Sequence, residues 1–138
     1  VKSNFKTMKK IFFFFTIFTL LQGCVNNGNV EVGNKTTMHV NSVYEAGTVM
    51  KGELISATFK IKNTGSYPLV IADVKPSCSC TVVNKPDEPI KPGEEANIKA
   101  EVNTSNVSSG TLTKSVRIVA NTEPSVTEVV IKAKIKSN

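Results

Sequence analysis

Cys78 and Cys80 are the side chains best placed to do chemistry. They stand in Ser77-Cys78-Ser79-Cys80-Thr81, two thiols separated by one serine. Three chemistries fit that spacing. A disulfide is the expectation for an exported protein. In an extended strand, residues i and i+2 lie about 6.6 Å apart, near the limit for a bridge. Closing it demands a bent backbone and leaves a strained, easily reduced bond. Two thiolates on one face also suit Cu(I) or Zn(II), but a closed zinc site takes four ligands. The chain supplies one histidine, His39, with Met38 and Met50 as soft extras, and no second Cys or His pair. The third chemistry is none at all: two small side chains packed in a turn or core.

The remaining polar side chains point away from an enzyme. A serine or cysteine triad needs a base, and His39 is the only histidine. It lies in a weak strand pattern and reads as an exposed strand residue. The carboxylate pairs Asp87-Glu88 and Glu94-Glu95 stand in turn-rich, solvated segments, which work against raised pKa values. No glycine loop of the phosphate-cradling kind occurs. Neither a cofactor nor a metal is expected. Lys132, Lys134 and Lys136 form a basic row along one strand face. That row reads as a solvated face or a guarded sheet edge, with contact to anionic head groups or polysaccharide as the alternative.

The start of the chain addresses location. Lys9-Lys10 precede an apolar run from Ile11 to Leu21 that contains four consecutive phenylalanines and is followed by Gln22-Gly23-Cys24. As a helix the run would span about 16 Å, against roughly 30 Å of hydrocarbon, too short for a stable transmembrane span. Charged start, short apolar stretch and small residue at the end match a secretory signal. Leu21-Gln22-Gly23-Cys24 resembles the lipobox of bacterial lipoproteins. That resemblance implies cleavage between Gly23 and Cys24 and a diacylglycerol on the Cys24 sulfur. Several acyl chains on Cys24 would give stable membrane anchoring, which one chain does not. The alternative is ordinary secretion with Cys24 free or disulfide-bonded. Acidic or aspartate sorting residues are missing from Val25-Asn26-Asn27-Gly28, so the resemblance implies the outer membrane, facing the periplasm.

Removing residues 1–23 changes the charge balance. Lys2, Lys6, Lys9 and Lys10 leave, so 17 basic residues fall to 13 against 11 acidic ones, and the net charge drops from +6 to +2. The basic balance therefore carries no argument for nucleic acid, and no nucleic-acid-binding motif is present. The remaining 115 residues hold one domain. Residues 24–36 are polar and Asn/Gly-rich and read as the lipidated cysteine with a flexible tether. The domain is expected over 37–138.

Its apolar period is two. Ile55, Ala57, Phe59 and Ile61 alternate with polar residues. Ala96, Ile98, Ala100 and Val102 do the same, as do Val116, Ile118 and Ala120, and Val129, Ile131, Ala133 and Ile135. Each pattern predicts a strand with one buried face. Leu69 to Val74 reads as a central strand and Met38 to Tyr44 as a weaker first one. Asn63-Thr64-Gly65-Ser66 predicts a turn with Gly65 at positive φ, and Pro92-Gly93 a type II turn. About seven short strands predict an all-β, two-sheet antiparallel sandwich. With no tryptophan and no widely spaced cysteine pair, it must rest on an aliphatic core.

Phe59-Lys60-Ile61-Lys62-Asn63-Thr64-Gly65, Pro68-Leu69-Val70-Ile71, Ser77-Cys78-Ser79-Cys80-Thr81 and Pro89-Ile90-Lys91-Pro92-Gly93-Glu94 follow one another in the order of a bacterial Ig-like family. The chain resembles the domain of unknown function family 1573, common in Bacteroidota lipoproteins and similar to Hydin-type Ig-like domains. The resemblance covers roughly residues 40–136 and implies an Ig-like fold without a settled activity. Glycine is usual where Ser79 stands. The expectation is a membrane-anchored, non-catalytic Ig-like module that binds or scaffolds an envelope protein or glycan. The competing expectation is a thiol or metal module built on Cys78 and Cys80.

Overall fold

The computed structural model describes residues 33–137. Residues 1–23, read as a signal segment, Cys24 and the part of the expected tether up to residue 32 lie outside the described residues. Those described form eight strands: β1 (Met38–Val40), β2 (Val43–Met50), β3 (Leu54–Asn63), β4 (Ile71–Pro76), β5 (Thr81–Asn84), β6 (Glu95–Asn103), β7 (Gly110–Ala120) and β8 (Val126–Lys136). They make two four-stranded sheets, ordered β1-β3-β6-β5 and β2-β8-β7-β4.

The period-two pattern sorts side chains as expected. Strand β3 alternates strictly between exposed and buried over all ten residues. Ile55, Ala57, Phe59 and Ile61 meet Ile98, Ala100 and Val102 of β6 and the inward residues of β7 and β8 in one aliphatic core. Tyr44 adds a link between the sheets. Its ring stands edge-on to Phe59, with centroids 6.3 Å apart, and its hydroxyl donates to the Ser56 carbonyl at 3.2 Å.

Three features depart from the sequence reading. The weak first strand is two strands. The chain leaves the first sheet after Val40 and enters the second at Val43, so its first stretch edges both sheets. Strand β2 runs parallel to β8, so the sandwich is mixed rather than purely antiparallel. Its register slips between Glu45 and Thr48, where two residues face one on β8 and Gly47 has φ 70°. This is a bulge, and glycine takes that φ at no steric cost. The apolar run from Leu69 does not form a central strand. Leu69 pairs alone with Ile90, and β4 lies at the edge of its sheet.

Two turns test the glycine assignments. Gly93 has φ 81°, and Glu94 N–H donates to the Lys91 carbonyl at 3.0 Å, as a type II turn requires. Gly65 is not among the glycines at positive φ. It is required for space instead: a Cβ there would sit 2.6 Å from the Thr37 nitrogen and run into the Thr36 hydroxyl. Gly65→Ala should therefore destabilise the domain by about 1–3 kcal/mol, read as a lower urea midpoint with an unchanged slope.

The folded body includes Thr36, the last residue of the segment read as tether. It is buried and forms a parallel bridge with Thr122. The chain thus enters at the end of the sandwich formed by Asn63, Ile90 and Asn121. The opposite end is formed by Met50, Glu53, Asn103 and Gly110. Ten residues of β3 separate the two ends by about 30 Å.

Candidate functional site

Cys78 and Cys80 lie on the connection from β4 to β5, where the chain passes from the edge of one sheet to the edge of the other. Thr81 N–H donates to the Cys78 carbonyl at 3.2 Å, closing a tight turn over residues 78–81. The bend brings the two Cα atoms to 5.3 Å, inside the bridging range, and a disulfide joins the side chains. Cys80 is tied on its far side by its carbonyl, which accepts from Asn103 N–H at 3.0 Å. Both cysteines are half-buried.

One hydroxyl serves both sulfurs. Thr81 Oγ1, on a buried residue, is 3.5 Å from Cys78 Sγ and 3.9 Å from Cys80 Sγ. A bridged sulfur carries no hydrogen, so in either contact the hydroxyl is the donor. Beside Cys80 lies a shallow recess lined by Leu54, Ser79, Val82, Glu101, Asn103 and Asn106. Leu54 and Val82 are 58% and 62% exposed, the two most exposed of the large apolar side chains in the domain. On the approach along β4, Lys75 bonds the Asp73 carboxylate at 3.1 Å and holds its pKa below the ordinary value.

The bond closes a loop of only three residues. By the chain-entropy argument such a loop stabilises a fold by about 1.6 kcal/mol, against about 4.7 for a loop of a hundred residues. It joins neighbours on one turn and does not staple the sheets together.

The other candidates lie elsewhere. His39 is exposed on β1 opposite Lys62, at the entry end of the sandwich. Cys80 is bonded to Asn103, at the far end of β6, so about 26 Å of strand separates histidine from disulfide. Met38 shares the entry end with His39, while Met50 lies at the opposite one. Among the described residues no three His, Cys, Asp or Glu side chains cluster to hold a metal. Lys132, Lys134 and Lys136 point outward from β8, which is an inner strand, so the row is a solvated face and not a guarded edge. Among the described residues, only Lys132 of the three has a carboxylate within 4.0 Å, Glu45 at 3.9 Å. Asp87, Glu88, Glu94 and Glu95 are all exposed. Gly23 and Cys24 lie outside the described residues.

Buried polar residues form a feature that no sequence motif announces. The Asn63 side chain is fully buried and makes four hydrogen bonds. Its amide donates to the carbonyls of Tyr67 and Ile90, both at 2.8 Å, and its oxygen accepts from Thr36 Oγ1 at 3.0 Å and Gly65 N–H at 3.1 Å. Asn121 donates to the carbonyls of Asn34 and Pro68 and accepts from Val70 N–H. At the opposite end, the buried Thr104 hydroxyl donates to the Glu53 carbonyl at 2.6 Å and accepts from Gly52 N–H at 3.0 Å. These side chains hold loops in place. Among the described residues, no buried side-chain nitrogen or oxygen lacks a partner.

The family model described as "Protein of unknown function (DUF1573)" matches residues 36–135. The chain belongs to this family. The span of the match is the span of the sandwich, from the buried Thr36 through Ile135 near the end of β8. The DUF1573 domain is similar to a protein of unknown function from Porphyromonas gingivalis W83, with a TM-score of 0.65 and 19% identity over 79% of this chain. It spans about half of that protein, 51%. It is also similar to the VesB protease of Vibrio cholerae, with a TM-score of 0.56 and 11% identity, covering 72% of this chain and 31% of that one. The ASH/PapD-like domain 7 of human CEP192 is similar too, with a TM-score of 0.55 and 9% identity, covering 75% of this chain and 88% of that domain. At such identities the likeness is one of fold alone: the DUF1573 domain is a two-sheet sandwich resembling Ig-like and PapD-like domains. The comparison with curated proteins found no match.

Proposed function

We propose that this DUF1573 domain is a membrane-tethered, non-catalytic module that binds or scaffolds another envelope component, a protein or a glycan. The observation that carries the reading is the order Lys9-Lys10, Ile11 to Leu21 and Gln22-Gly23-Cys24 ahead of a single sandwich. Cys24 would carry the lipid, placing the domain at the outer membrane on its periplasmic face. The fold supports that arrangement, because the chain enters at Thr36, at one end of the sandwich. The opposite end, with Leu54 and Val82 exposed, is left open to a partner.

Fractionation and cross-linking of the full chain test the reading together. The wild-type chain should sediment with membranes and enter detergent, whereas Cys24→Ser should shift by at least about tenfold toward the soluble fraction. Cross-linking in intact envelopes should return the same component repeatedly with the wild-type chain. Soluble wild-type protein would sink the anchor, and repeated cross-linking without a partner would sink the scaffold.

A further inference from the structure

We infer that the Cys78–Cys80 disulfide is a thiol-exchange site whose electrophilic atom is Cys80 Sγ and whose leaving thiolate is Cys78 Sγ. The geometry separates the two sulfurs. Cys80 lines the recess between Leu54 and Val82 on the open end of the sandwich and is partly buried, with one side packed against the core, whereas Cys78 does not line that recess; the recess is the approach for an attacking thiolate. Cys78 is the sulfur nearer the Thr81 hydroxyl, at 3.5 Å against 3.9 Å. A donor at the departing sulfur stabilises the thiolate that forms there, and a better leaving thiolate speeds exchange. The bond also lies on a connection between two edge strands and spans three residues, so its opening leaves both sheets intact.

The co-reactant is a dithiol, either a small one or a protein with paired cysteines. Its first thiolate attacks Cys80 Sγ. The Cys78–Cys80 bond breaks, its electron pair stays on Cys78 Sγ, and a mixed disulfide forms on Cys80. The dithiol's second thiolate then attacks its own bonded sulfur and releases Cys80 as a thiolate. The dithiol ends oxidised to a disulfide, and Cys78 and Cys80 end as two thiols carrying the two protons it gave up. Run backwards, the same steps oxidise a dithiol pair in this chain at the expense of a partner's disulfide. The inference stands on the sandwich alone and does not require the lipid on Cys24.

The test uses the full chain in native buffer with dithiothreitol, acid quenching, alkylation and peptide mapping, which keeps Cys24 separate. Native reduction should run within about tenfold of the rate in the urea-unfolded chain. A native rate more than about a hundredfold slower overturns the site, because the bond would then be shielded by the fold. With excess glutathione and rapid trapping, glutathione should appear on Cys80 and the alkyl label on Cys78, and the reverse pattern overturns the assignment of roles. Thr81→Val should slow native reduction by about threefold to tenfold, while its rate in urea stays at the wild-type value. An unchanged native rate removes the hydroxyl's role.

Discussion

Replacing Asn63 with alanine should destabilise the domain by about 3–5 kcal/mol, a large part of the 5–15 kcal/mol that holds most domains folded. The side chain is fully buried and uses both amide hydrogens and two acceptor positions. Truncation strands the Tyr67 carbonyl, the Gly65 N–H and the Thr36 hydroxyl, and leaves the Ile90 carbonyl with the Leu69 N–H at 2.8 Å; each stranded group costs about 1–3 kcal/mol before relaxation. The effect is topological as well as local. Asn63 ends β3, Tyr67 lies in the loop to β4, Ile90 precedes β6, and Thr36 is where the chain enters. The melting temperature should fall by roughly 12–25 °C in a domain of this size. Asn63→Asp separates hydrogen bonding from shape. One carboxylate oxygen would keep the Thr36 and Gly65 donors, while the other would face the carbonyls of Tyr67 and Ile90 with no donor; that repulsion, together with full burial, raises its pKa in the folded state. Stability of that variant is then retained at low pH and lost as pH rises through the raised folded value. The gap to wild type should narrow between pH 7 and about pH 4. Equal gaps at both values would mean that shape alone is at work.

Asn63 was visible in the sequence as the first residue of a turn, and its burial could have been read from parity. Residues 55, 57, 59 and 61 point inward, and 63 is the next in phase. Thr104 follows Val102 in the same way, and Thr122 follows Ala120. Each is a polar residue at the inward position just past the last apolar one. At a strand's end that position can reach loop carbonyls, so it satisfies a chain reversal from inside. Polarity suggested turn, and the period two suggested core. Both hold.

The paths between sheets were less legible. Apolar alternation reports which face of a strand is buried and says nothing about which sheet it joins. Met38 to Tyr44 therefore read as one strand, although the chain changes sheets at residues 41–42. The nearly continuous apolar run 69–74 suggested a central strand. Its apolar character comes instead from Leu69, buried in an isolated bridge, and from Ile71 and Val74 on an edge strand interrupted by a register shift. The cysteine pair was legible as a pair, but its chemistry depended on the backbone. At strand spacing the two residues stand too far apart for comfort. The 78–81 turn removes that obstacle, and a turn without a glycine at position 79 carries no strong sequence signal.

In β8, the inner strand whose basic row suggested a surface role, inward and outward residues should differ sharply in what they contribute to stability. Ile131 is fully buried on the strand that joins β2 to β7. Ile131→Ala removes its contacts and leaves a cavity among rigid neighbours, at a cost of about 2–5 kcal/mol. Lys132, one residue on, faces solvent and meets Glu45 only at 3.9 Å, with both side chains about half exposed or more. An exposed pair of that kind contributes about 0–1 kcal/mol, so Lys132→Ala should fall within about 0.5 kcal/mol of wild type. Chemical denaturation of both variants decides the matter. A large loss at Ile131 beside a negligible one at Lys132 ties stability to the inward face and frees the basic face for contacts outside the fold. Comparable losses would mean that the outer face of β8 is covered in the native protein, and the row Lys132, Lys134 and Lys136 would then belong to an interface rather than to solvent.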